Sequence, residues 1–539
     1  MVDYFRMLWF NNLIVYSQKD FSMFNDSDLR QFHEKGMTTE DIENQIDHFR
    51  KGFPFIDLAK PATPSDGIIC LTDEEKKRFI SYYDDAGRNS GIIKFVPASG
   101  AASRMFKHLF EFREKYKPGS VGENLLKKDT GPDSVNYYFN HLKEIAFYDE
   151  LSLRLERDGL IIENLLNAKD FATIIDYILT EKGLDYANLP KGLVRFHDYP
   201  EGARTSAEEH MVEAALYASN LEGIARLHFT ISAGHRARFE DLVNTVRPLY
   251  ESRFNVSYQI GYSVQKPSTD TIAVDEENNP FRNADGHLLF RPGGHGALLE
   301  NLNEIDADMI FIKNIDNIVP DRLKPPTVLH KKLIGGYLAW IRRNIFGFLD
   351  KVRQNNCTAD DIASMADFAG SKLSMKIPAM FDAMTVSEKT SLLFKMLNRP
   401  VRVCGMVKNE GEPGGGPFWV RGKQGEISLQ IVESSQVDMK NSTQKKIFSG
   451  ATHFNPVDLV CGIRDFQGNK FDLNRYVDEE TGFIAMKSSG GRNLKALERP
   501  GLWNGAMAGW ITVFMEVPIT TFNPVKTMND LLRKEHLKE

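Results

Sequence analysis

The sequence predicts an α/β protein with a mixed, mostly parallel sheet that is flanked by helices. Two observations carry this prediction. A short β-rich run at residues 92–96 is followed at once by a turn of small residues and by apolar positions at helical spacing. Between residues 206 and 312, helical patterns then alternate with strand patterns, which is typical of a doubly covered, mostly parallel sheet.

The first 90 residues predict an extension followed by helices. Residues 24–90 read as helical, because Thr38 and Asp41 have the spacing of a capping box and apolar residues recur at helical spacing after them. Residues 1–22 are interpreted as an N-terminal extension rather than a signal peptide, since Asn11 and Asn12 interrupt its apolar stretch.

The α/β core is predicted at residues 91–325, and residues 119–188 read as a mainly helical insertion within it. A helical segment at 326–400 and a β-rich part at 401–539, which returns to the active site, complete the predicted organisation. The elements predicted after the insertion are a helix at 206–219, a strand at 226–232, a helix at 237–250, a strand at 256–264, a helix from about 296, a strand at 309–312, and helices at 328–353 and 359–369.

The bulk composition excludes some classes of function. The net charge of −6 argues against nucleic acid as a main partner, because a phosphate backbone requires a basic surface. The four cysteines are far apart in the sequence, which predicts neither a disulfide framework nor a structural zinc site and favours the cytoplasm. No apolar run approaches the roughly 20 residues that span a bilayer, so we expect no membrane partner.

The turn at residues 99–104 is a candidate phosphate site. Ser99, Gly100, Ala101 and Ser103 are small enough for the main chain to approach a phosphate, and the following helix start offers free N–H groups. Arg104 adds a cation that can neutralise a phosphate. A tight turn between a strand and a helix, without any ligand, explains the same residues equally well.

Asp316 is the best candidate for a metal ligand. It follows the apolar strand at residues 309–312, and ligands of open α/β sheets bind at the carboxyl ends of strands. Mg²⁺ takes one or two carboxylates together with phosphate oxygens and water. The alternative is a turn in which the Asp316 side chain only closes the strand.

Several further segments, in this order along the chain, resemble UDP-sugar pyrophosphorylases, which are sugar-1-phosphate nucleotidyltransferases with the Rossmann-like glycosyltransferase-A fold. After the turn at 99–104 come Pro-Lys at 190–191, Gln at 265, Pro-Gly-Gly-His-Gly at 292–296, Asn-Ile-Asp-Asn at 314–317 and Asn-Pro-Val-Lys-Thr-Met-Asn-Asp-Leu-Leu at 523–532. The resemblance covers roughly residues 91–320 and 450–532. The whole chain also resembles a bacterial family that is uncharacterised.

The resemblance implies roles for individual residues. Arg104, Lys191 and Lys526 are implied to be the cations that act on phosphate. Asp316 and Asp458 are implied to be ligands of the cofactor Mg²⁺. The implied contacts to nucleotide and sugar are Ser99, Gly100, Ala101, Ser103, Gln265, Gly294, His295, Gly296, Asn314, His453 and Asn455.

The resemblance also implies a reaction. An oxygen of a sugar-1-phosphate attacks the α-phosphate of a nucleoside triphosphate, for which UTP is favoured, and pyrophosphate leaves. Two alternatives stay open. A non-catalytic nucleotide-binding or nucleotide-sugar-binding protein is favoured by Ala101, Ala102 and Ala297. A glycosyltransferase would use an Asp-x-Asp pair, and Asp306 and Asp308 have that spacing but precede the strand instead of closing it.

Overall fold

The structure is a computed structural model that describes residues 23–85, 87–116, 126–411 and 414–538. The predicted extension at residues 1–22 lies outside them. The chain divides into two compact units. Unit 1 comprises the described residues up to Phe53 together with Lys266–Gly294 and Phe483–Glu498, and unit 2 comprises Pro54–Gln265, His295–Gly482 and the residues from Arg499 onward.

The helices and strands used below are named in chain order. The helices are α1 (Asp26–Lys35), α2 (Thr39–Lys51), α3 (Asp73–Asp85), α4 (Lys107–Lys115), α5 (Val135–Asn140), α6 (Tyr148–Arg157), α7 (Ile162–Asn167), α8 (Phe171–Leu179), α9 (Ser206–Tyr217), α10 (Arg236–Phe254), α11 (Leu299–Glu304), α12 (Lys324–Arg353), α13 (Ala359–Leu373), α14 (Val386–Leu397) and α15 (Ser442–Ser449). The strands are β1 (Asp57–Pro61), β2 (Thr63–Pro64), β3 (Gly67–Ile69), β4 (Ile92–Pro97), β5 (Arg195–His197), β6 (Arg204–Thr205), β7 (Ile224–Ile231), β8 (Ser257–Val264), β9 (Thr271–Val274), β10 (Phe290–Arg291), β11 (Met309–Lys313), β12 (Val401–Lys408), β13 (Gly416–Arg421), β14 (Ile427–Val432), β15 (His453–Phe454), β16 (Asp458–Gly462), β17 (Phe483–Ser489), β18 (Arg492–Glu498) and β19 (Ile511–Glu516).

Unit 1 packs α1 and α2 on an antiparallel sheet with strand order β10-β9-β18-β17. The predicted capping box begins α2, because the Asp41 amide donates to Thr38 Oγ1 at 3.1 Å and the Thr38 amide donates to Asp41 Oδ2 at 2.8 Å. The apolar face that follows the cap, with Ile42 and Ile46, is buried against Ile272 and Leu497.

Unit 2 is built on a mostly parallel sheet, as the sequence predicts. The strand order is β2-β3-β19-β12-β16-β11-β4-β7-β8, and β15 adds to β12. Along this path β16 alone runs antiparallel to its neighbours. Strands β4 and β11 are buried almost throughout, because helices cover both faces of the sheet. The predicted strands at 92–96, 226–232, 256–264 and 309–312 are confirmed as β4, β7, β8 and β11.

The parallel strands all end at one edge of this sheet, called here the carboxyl edge. The turn at 99–104 follows β4, and the residues after β11 begin with Asn314. Because β16 is antiparallel, its first residue, Asp458, lies opposite Lys313, the last residue of β11. The sheet topology therefore brings the segments around residues 99–104, 314–317 and 453–458 to the same edge.

Two parts of the structure differ from the sequence expectation. Residues 24–90 are not wholly helical, because they also contain β1, β2 and β3. Strand β1 pairs with β13 and β3 with β19, both more than 300 positions away, so these pairings leave no local pattern, whereas the two-residue β2 pairs with β3. The C-terminal strands β12, β16 and β19 lie within the central sheet, between β3 and β11, instead of forming a part of their own.

The helical insertion shares its core with the C-terminal residues. Helices α4 to α8 bury their apolar faces in one cluster, and Val525, Met528 and Leu531 belong to the same cluster. All four cysteines lie among the described residues and are free thiols. Within the described ranges, no helix has both the length and the apolar character needed to cross a bilayer.

Candidate active site

The turn after β4 is hydrogen-bonded directly to the segment that carries Lys191. Ala101 and Pro190 form a β-bridge, and the Lys191 amide donates to the Gly100 carbonyl at 3.0 Å. The Ala102 amide donates to the Leu189 carbonyl at 2.9 Å. The two ends of the helical insertion therefore meet at the carboxyl edge, although 87 sequence positions separate Arg104 from Lys191.

Lys191 and Lys526 converge on one carboxylate. Lys191 Nζ donates to Asp316 Oδ2 at 2.9 Å and to the Val525 carbonyl at 2.9 Å, and Lys526 Nζ donates to the same Asp316 oxygen at 3.3 Å. The Lys191 side chain is 11% exposed, whereas that of Lys526 is 57% exposed. The structure thus brings together three of the predicted site residues: a mostly buried cation, an accessible cation and an anion.

The loop that carries Asp316 is held by its main chain. The Ile315 carbonyl accepts hydrogen bonds from Ser206 Oγ and, at 3.1 Å, from His210 Nε2, both on the buried helix α9. The Val525 amide donates to the Asp316 carbonyl at 3.0 Å. A donating Nε2 fixes the His210 tautomer, and burial together with nearby Lys94 holds the pKa of this ring well below its usual value, so the imidazole is neutral.

Asp316 is a carboxylate with one oxygen available. Burial opposes its ionisation, but the charges of Lys191 and Lys526 outweigh burial and lower the pKa of Asp316 below its usual value. Its Oδ1 is buried and has no hydrogen-bond partner among the described residues. No group of three His, Cys, Asp or Glu side chains in the described ranges could hold a metal. One carboxylate oxygen fits a Mg²⁺ ion that takes its remaining ligands from phosphate and water.

The side chains of the turn at 99–104 differ in what they face. Ala102 is fully buried in the apolar cluster of the insertion, so its methyl group does not obstruct a phosphate above the turn. A Cβ atom at Gly100 would have no neighbour within 4 Å, so the space beside it is open. Arg104 is exposed and forms no ion pair with any residue that the structure describes.

His453, Asn455 and Asp458 lie in or next to the start of β16. His453 Nε2 is 3.3 Å from Glu516 Oε1, and Asp458 forms a buried ion pair with Lys331. The Val457 amide donates to Asn455 Oδ1 at 3.0 Å, which holds Val457 at a φ of 57°, a strained value for a β-branched residue. Asp458 thus has Lys331 as a buried partner, and its role as a second metal ligand stays a prediction.

The remaining predicted contacts have structural roles that the sequence did not distinguish. Gln265 directly follows β8 at the carboxyl edge, and Asn314 begins the Asp316 loop.

The His295 ring stacks on Trp503 with centroids 4.2 Å apart, and its Nδ1 accepts from the Leu502 amide. A Cβ atom at Gly296 would lie 2.1 Å from the Pro500 carbonyl, so only glycine fits there. Gly294, in unit 1, has a φ of 75°. Whether these residues contact a ligand stays a prediction.

Sequence reasoning missed a buried charge network beneath the site. Glu213 on α9 accepts from Lys94 at 2.7 Å and from Lys313 at 2.6 Å, and all three side chains are at most 1% exposed. Burial lowers the pKa of Lys94 to about 7. The signals were a lysine inside the apolar run of β4 and the acidic residues on the apolar helix α9, which are unusual positions for charge.

The acidic pair of the glycosyltransferase alternative lies elsewhere. Asp306 and Asp308 precede β11 and so lie at the opposite edge of the sheet from Asp316. Both carboxylates are paired with Arg464, and Asp308 Oδ2 also accepts from the Gly91 amide at 2.9 Å. The pair therefore has a structural explanation away from the candidate site.

Among solved structures, the chain is similar to the UDP-glucose pyrophosphorylase of Leishmania major, described in open and closed structures. The identity is 12%, the match covers 94% of this chain and 77% of that chain, and the TM-score is 0.41. It is also similar to the uridine diphosphate N-acetylglucosamine pyrophosphorylase of Trypanosoma brucei in complex with an inhibitor, with 12% identity, 94% and 79% coverage, and a TM-score of 0.47.

No curated protein sequence matches the chain. Residues 25–537 match a family described as Domain of unknown function (DUF4301). This match extends over both units and includes every predicted site residue. The chain therefore belongs to the DUF4301 family.

Proposed function

We propose that this protein is a nucleotidyltransferase that forms a nucleoside-diphosphate sugar from a nucleoside triphosphate, for which UTP is favoured, and a sugar-1-phosphate. Pyrophosphate is the second product. The observation that carries the proposal is the convergence of Lys191 and Lys526 on Asp316 beside the small-residue turn after β4. The order of motifs that resembles UDP-sugar pyrophosphorylases adds support.

The charges of these residues suit a phosphate chain. Two ammonium groups face one carboxylate, so the cluster keeps a net positive charge, and exposed Arg104 adds another cation. A bound phosphate competes with Asp316 for the lysine donors and receives charge-assisted hydrogen bonds from them. Such fixed cations stabilise the charge that develops on phosphate oxygens during transfer, and the turn holds the phosphate in line for attack.

Asp316 is also the residue that would hold Mg²⁺, through its unpaired Oδ1. When bound, Mg²⁺ supplies further neutralisation of phosphate charge. The residues of this chain orient the site: Ser206 and His210 hold the Ile315 carbonyl, and the Val525 amide of the C-terminal segment holds the Asp316 carbonyl. The Asp316 carboxylate is thereby held in a fixed position next to both lysines.

The test is a screen for pyrophosphate release. The four common nucleoside triphosphates are each incubated with a panel of sugar-1-phosphates and Mg²⁺. We expect turnover with at least one pair, and a loss of about 10²-fold or more in Lys191→Met, the order found when one preorganised donor is removed. Lys107→Met, which removes an exposed lysine that pairs with Glu111, serves as the matched control and should keep full activity.

The same screen, together with binding measurements, distinguishes the nucleotidyltransferase from the non-catalytic nucleotide-binding alternative. Nucleoside triphosphate affinity is measured by calorimetry for the intact protein and for Lys191→Met. Binding that depends on Lys191 without turnover on any pair would favour a nucleotide-binding protein. If neither binding nor turnover responds to Lys191, the proposed site is wrong.

A further inference from the structure

A cavity that opens to solvent, separate from the residues of the candidate active site, lies between α3 and α12 in unit 2, and Arg78, Arg343 and Gly347 of its lining are exposed. Its volume is about 550 Å³, within the usual range of small-molecule sites. The two helices touch closely at one point, where a Cβ atom at Gly336 would lie 1.9 Å from the Phe79 carbonyl. The cavity lies next to this contact, where Trp340, one turn further along α12, packs on Phe79.

The walls of the cavity are aromatic and fixed. The rings of Phe79 and Trp340 are 5.5 Å apart at an angle of 63°, and Trp340 packs in turn on Phe368 at 5.5 Å. Tyr82 and Phe348 complete the aromatic lining. Phe79 itself is buried, whereas Tyr82, Trp340 and Phe348 are partly exposed and offer ring faces on which a planar ligand can stack.

The charge of the lining is entirely positive. Arg78, Arg343 and Lys351 line the cavity, whereas no Asp or Glu among the described residues does. Lys351 is paired with Asp361 at 2.5 Å. Arg78 and Arg343 form no ion pair within the described ranges, and the Arg78 guanidinium lies 4.6 Å from the Phe79 ring centroid. Two guanidinium groups thus stay available for an anion.

The sequence of α12 leaves space between its cationic residues. Arg343, Gly347 and Lys351 recur every four residues and so share one face of the helix. Glycine is unfavourable inside a helix, yet a Cβ atom at Gly347 would meet nothing within 4 Å, so packing does not require the glycine. What glycine provides at this position is open volume beside Arg343.

We propose that this cavity binds a small planar aromatic anion, a ring system that carries a carboxylate or a phosphate. The ring stacks on the aromatic walls, and the acidic group accepts hydrogen bonds from Arg78 and Arg343. The proposal does not depend on the nucleotidyltransferase function, because it uses none of the residues of that site.

Calorimetric titration of the intact protein tests the ligand class with four probes. They are 2-naphthoate, 2-naphthyl phosphate, the neutral 2-naphthylmethanol and the non-aromatic cyclohexanecarboxylate. We expect both aromatic anions to bind, and the neutral and non-aromatic probes to bind at least about tenfold more weakly, since each lacks one of the two interactions. The ratio of the naphthoate and naphthyl phosphate affinities distinguishes a carboxylate from a phosphate ligand.

Two pairs of variants test the location. Gly347→Leu fills the cavity, and its control, Gly370→Leu, makes the same change in α13, where the nearest atom to a new Cβ is 4.0 Å away. Arg343→Gln removes a cation, and its control is exposed Arg157→Gln on α6. We expect each cavity variant to weaken 2-naphthoate binding about tenfold or more and each control to leave it unchanged. Absent binding of both aromatic anions, or equal binding by a cavity variant and its control, would overturn the proposal.

Discussion

Asp316 carries the charge balance of the candidate site. In the absence of a ligand, its negative charge neutralises part of the positive charge of Lys191 and Lys526. These two cations in turn keep Asp316 ionised, because they lower its pKa. The same carboxylate is thus a competitor of phosphate and a candidate metal ligand. Removing its charge should therefore strengthen the binding of pyrophosphate but abolish turnover.

In Asp316→Asn we expect pyrophosphate to bind roughly three- to tenfold more tightly, because both ammonium groups lose their competing anion. Turnover should be lost, since a neutral amide is a poor partner for Mg²⁺. Calorimetry with pyrophosphate and the pyrophosphate-release assay measure the two effects. Asp198→Asn, which removes a surface carboxylate paired with Lys538 at 2.9 Å, should change neither. Normal turnover in Asp316→Asn would contradict its role.

Lys191 and Lys526 should behave as one unit. Each of Lys191→Met and Lys526→Met should cost roughly 2–4 kcal/mol of transition-state stabilisation, the order found for one preorganised donor. The double variant should cost less than the sum, because both lysines contact one carboxylate and are expected to contact one phosphate chain. A double-mutant cycle on pyrophosphate release measures this coupling. Strictly additive costs would show that the lysines do not share a site.

Much of this site could be predicted from the sequence, and the reason differs between residues. Lys191, Asp316 and Lys526 stand in segments with recognisable neighbours, so their type and order were informative. Ser206 and His210 were not singled out as supports of the Asp316 loop, because they act on a main-chain carbonyl that leaves no trace in sequence. The stacking of His295 on Trp503 could not be predicted, because the two residues are more than 200 positions apart in the sequence.

Among the secondary-structure elements, the C-terminal segment is tied to the helical insertion. Asn529 Nδ2 donates to the Pro132 carbonyl at 2.7 Å and to the Ser134 carbonyl at 2.9 Å, and the side chain is buried. The Met528 amide donates to the Met105 carbonyl at 3.1 Å. The insertion therefore anchors the segment that presents Lys526.

Asn529→Ala should therefore loosen the C-terminal segment. The change removes two hydrogen bonds, a buried one to the Ser134 carbonyl and a partly buried one to the Pro132 carbonyl, which together contribute about 1–3 kcal/mol. We expect a lower melting temperature, faster proteolysis after residue 522 and weaker binding of pyrophosphate through misplaced Lys526. Thermal melts and limited proteolysis followed by mass spectrometry measure the first two effects. Asn164→Ala, an exposed change on α7, is the control, and equal proteolysis of both variants would contradict the anchoring role.

For the whole molecule, buried histidines predict a stability that falls in mild acid. His197 and His536 are hydrogen-bonded to each other at 2.9 Å, and His210 lies under the Asp316 loop. Burial is the main cause that lowers the pKa of all three rings. Folding therefore keeps them neutral, whereas the unfolded chain takes up protons below a pKa of about 6.5.

The free energy of unfolding is therefore unaffected by these rings above about pH 6.5 and falls as the pH drops below that value. The slope is up to about 1.4 kcal/mol per pH unit for each ring. We expect the free energy of unfolding, measured by denaturant titration, to fall between pH 7.5 and 5.5. In His536→Gln this fall should be shallower, whereas in the control, exposed His33→Gln, it should match the intact protein. Equal stability at both pH values would contradict the prediction.

The class of the fold was predictable because its signals are local. Strands β4 and β11 are mainly apolar runs, and β7 and β8 alternate apolar residues with polar or small ones, which are both patterns that indicate strands. The membership of β3, β12, β16 and β19 in the same sheet was not predictable, because strand pairing between distant segments depends on the whole packed core. Short strands such as Gly67–Ile69 acquire their structure only from the partner they pair with.

The position of β19 has a consequence for how the protein is made. This strand lies between β3 and β12, so β3, although it is synthesised early, must wait for residues 511–516 before it has this neighbour in the sheet. The sheet cannot be completed in the order of synthesis, and its closure is a late, slow event. A chain stalled before residue 511 should expose the edges of β3 and β12 and recruit chaperones, whereas one released beyond that point should not.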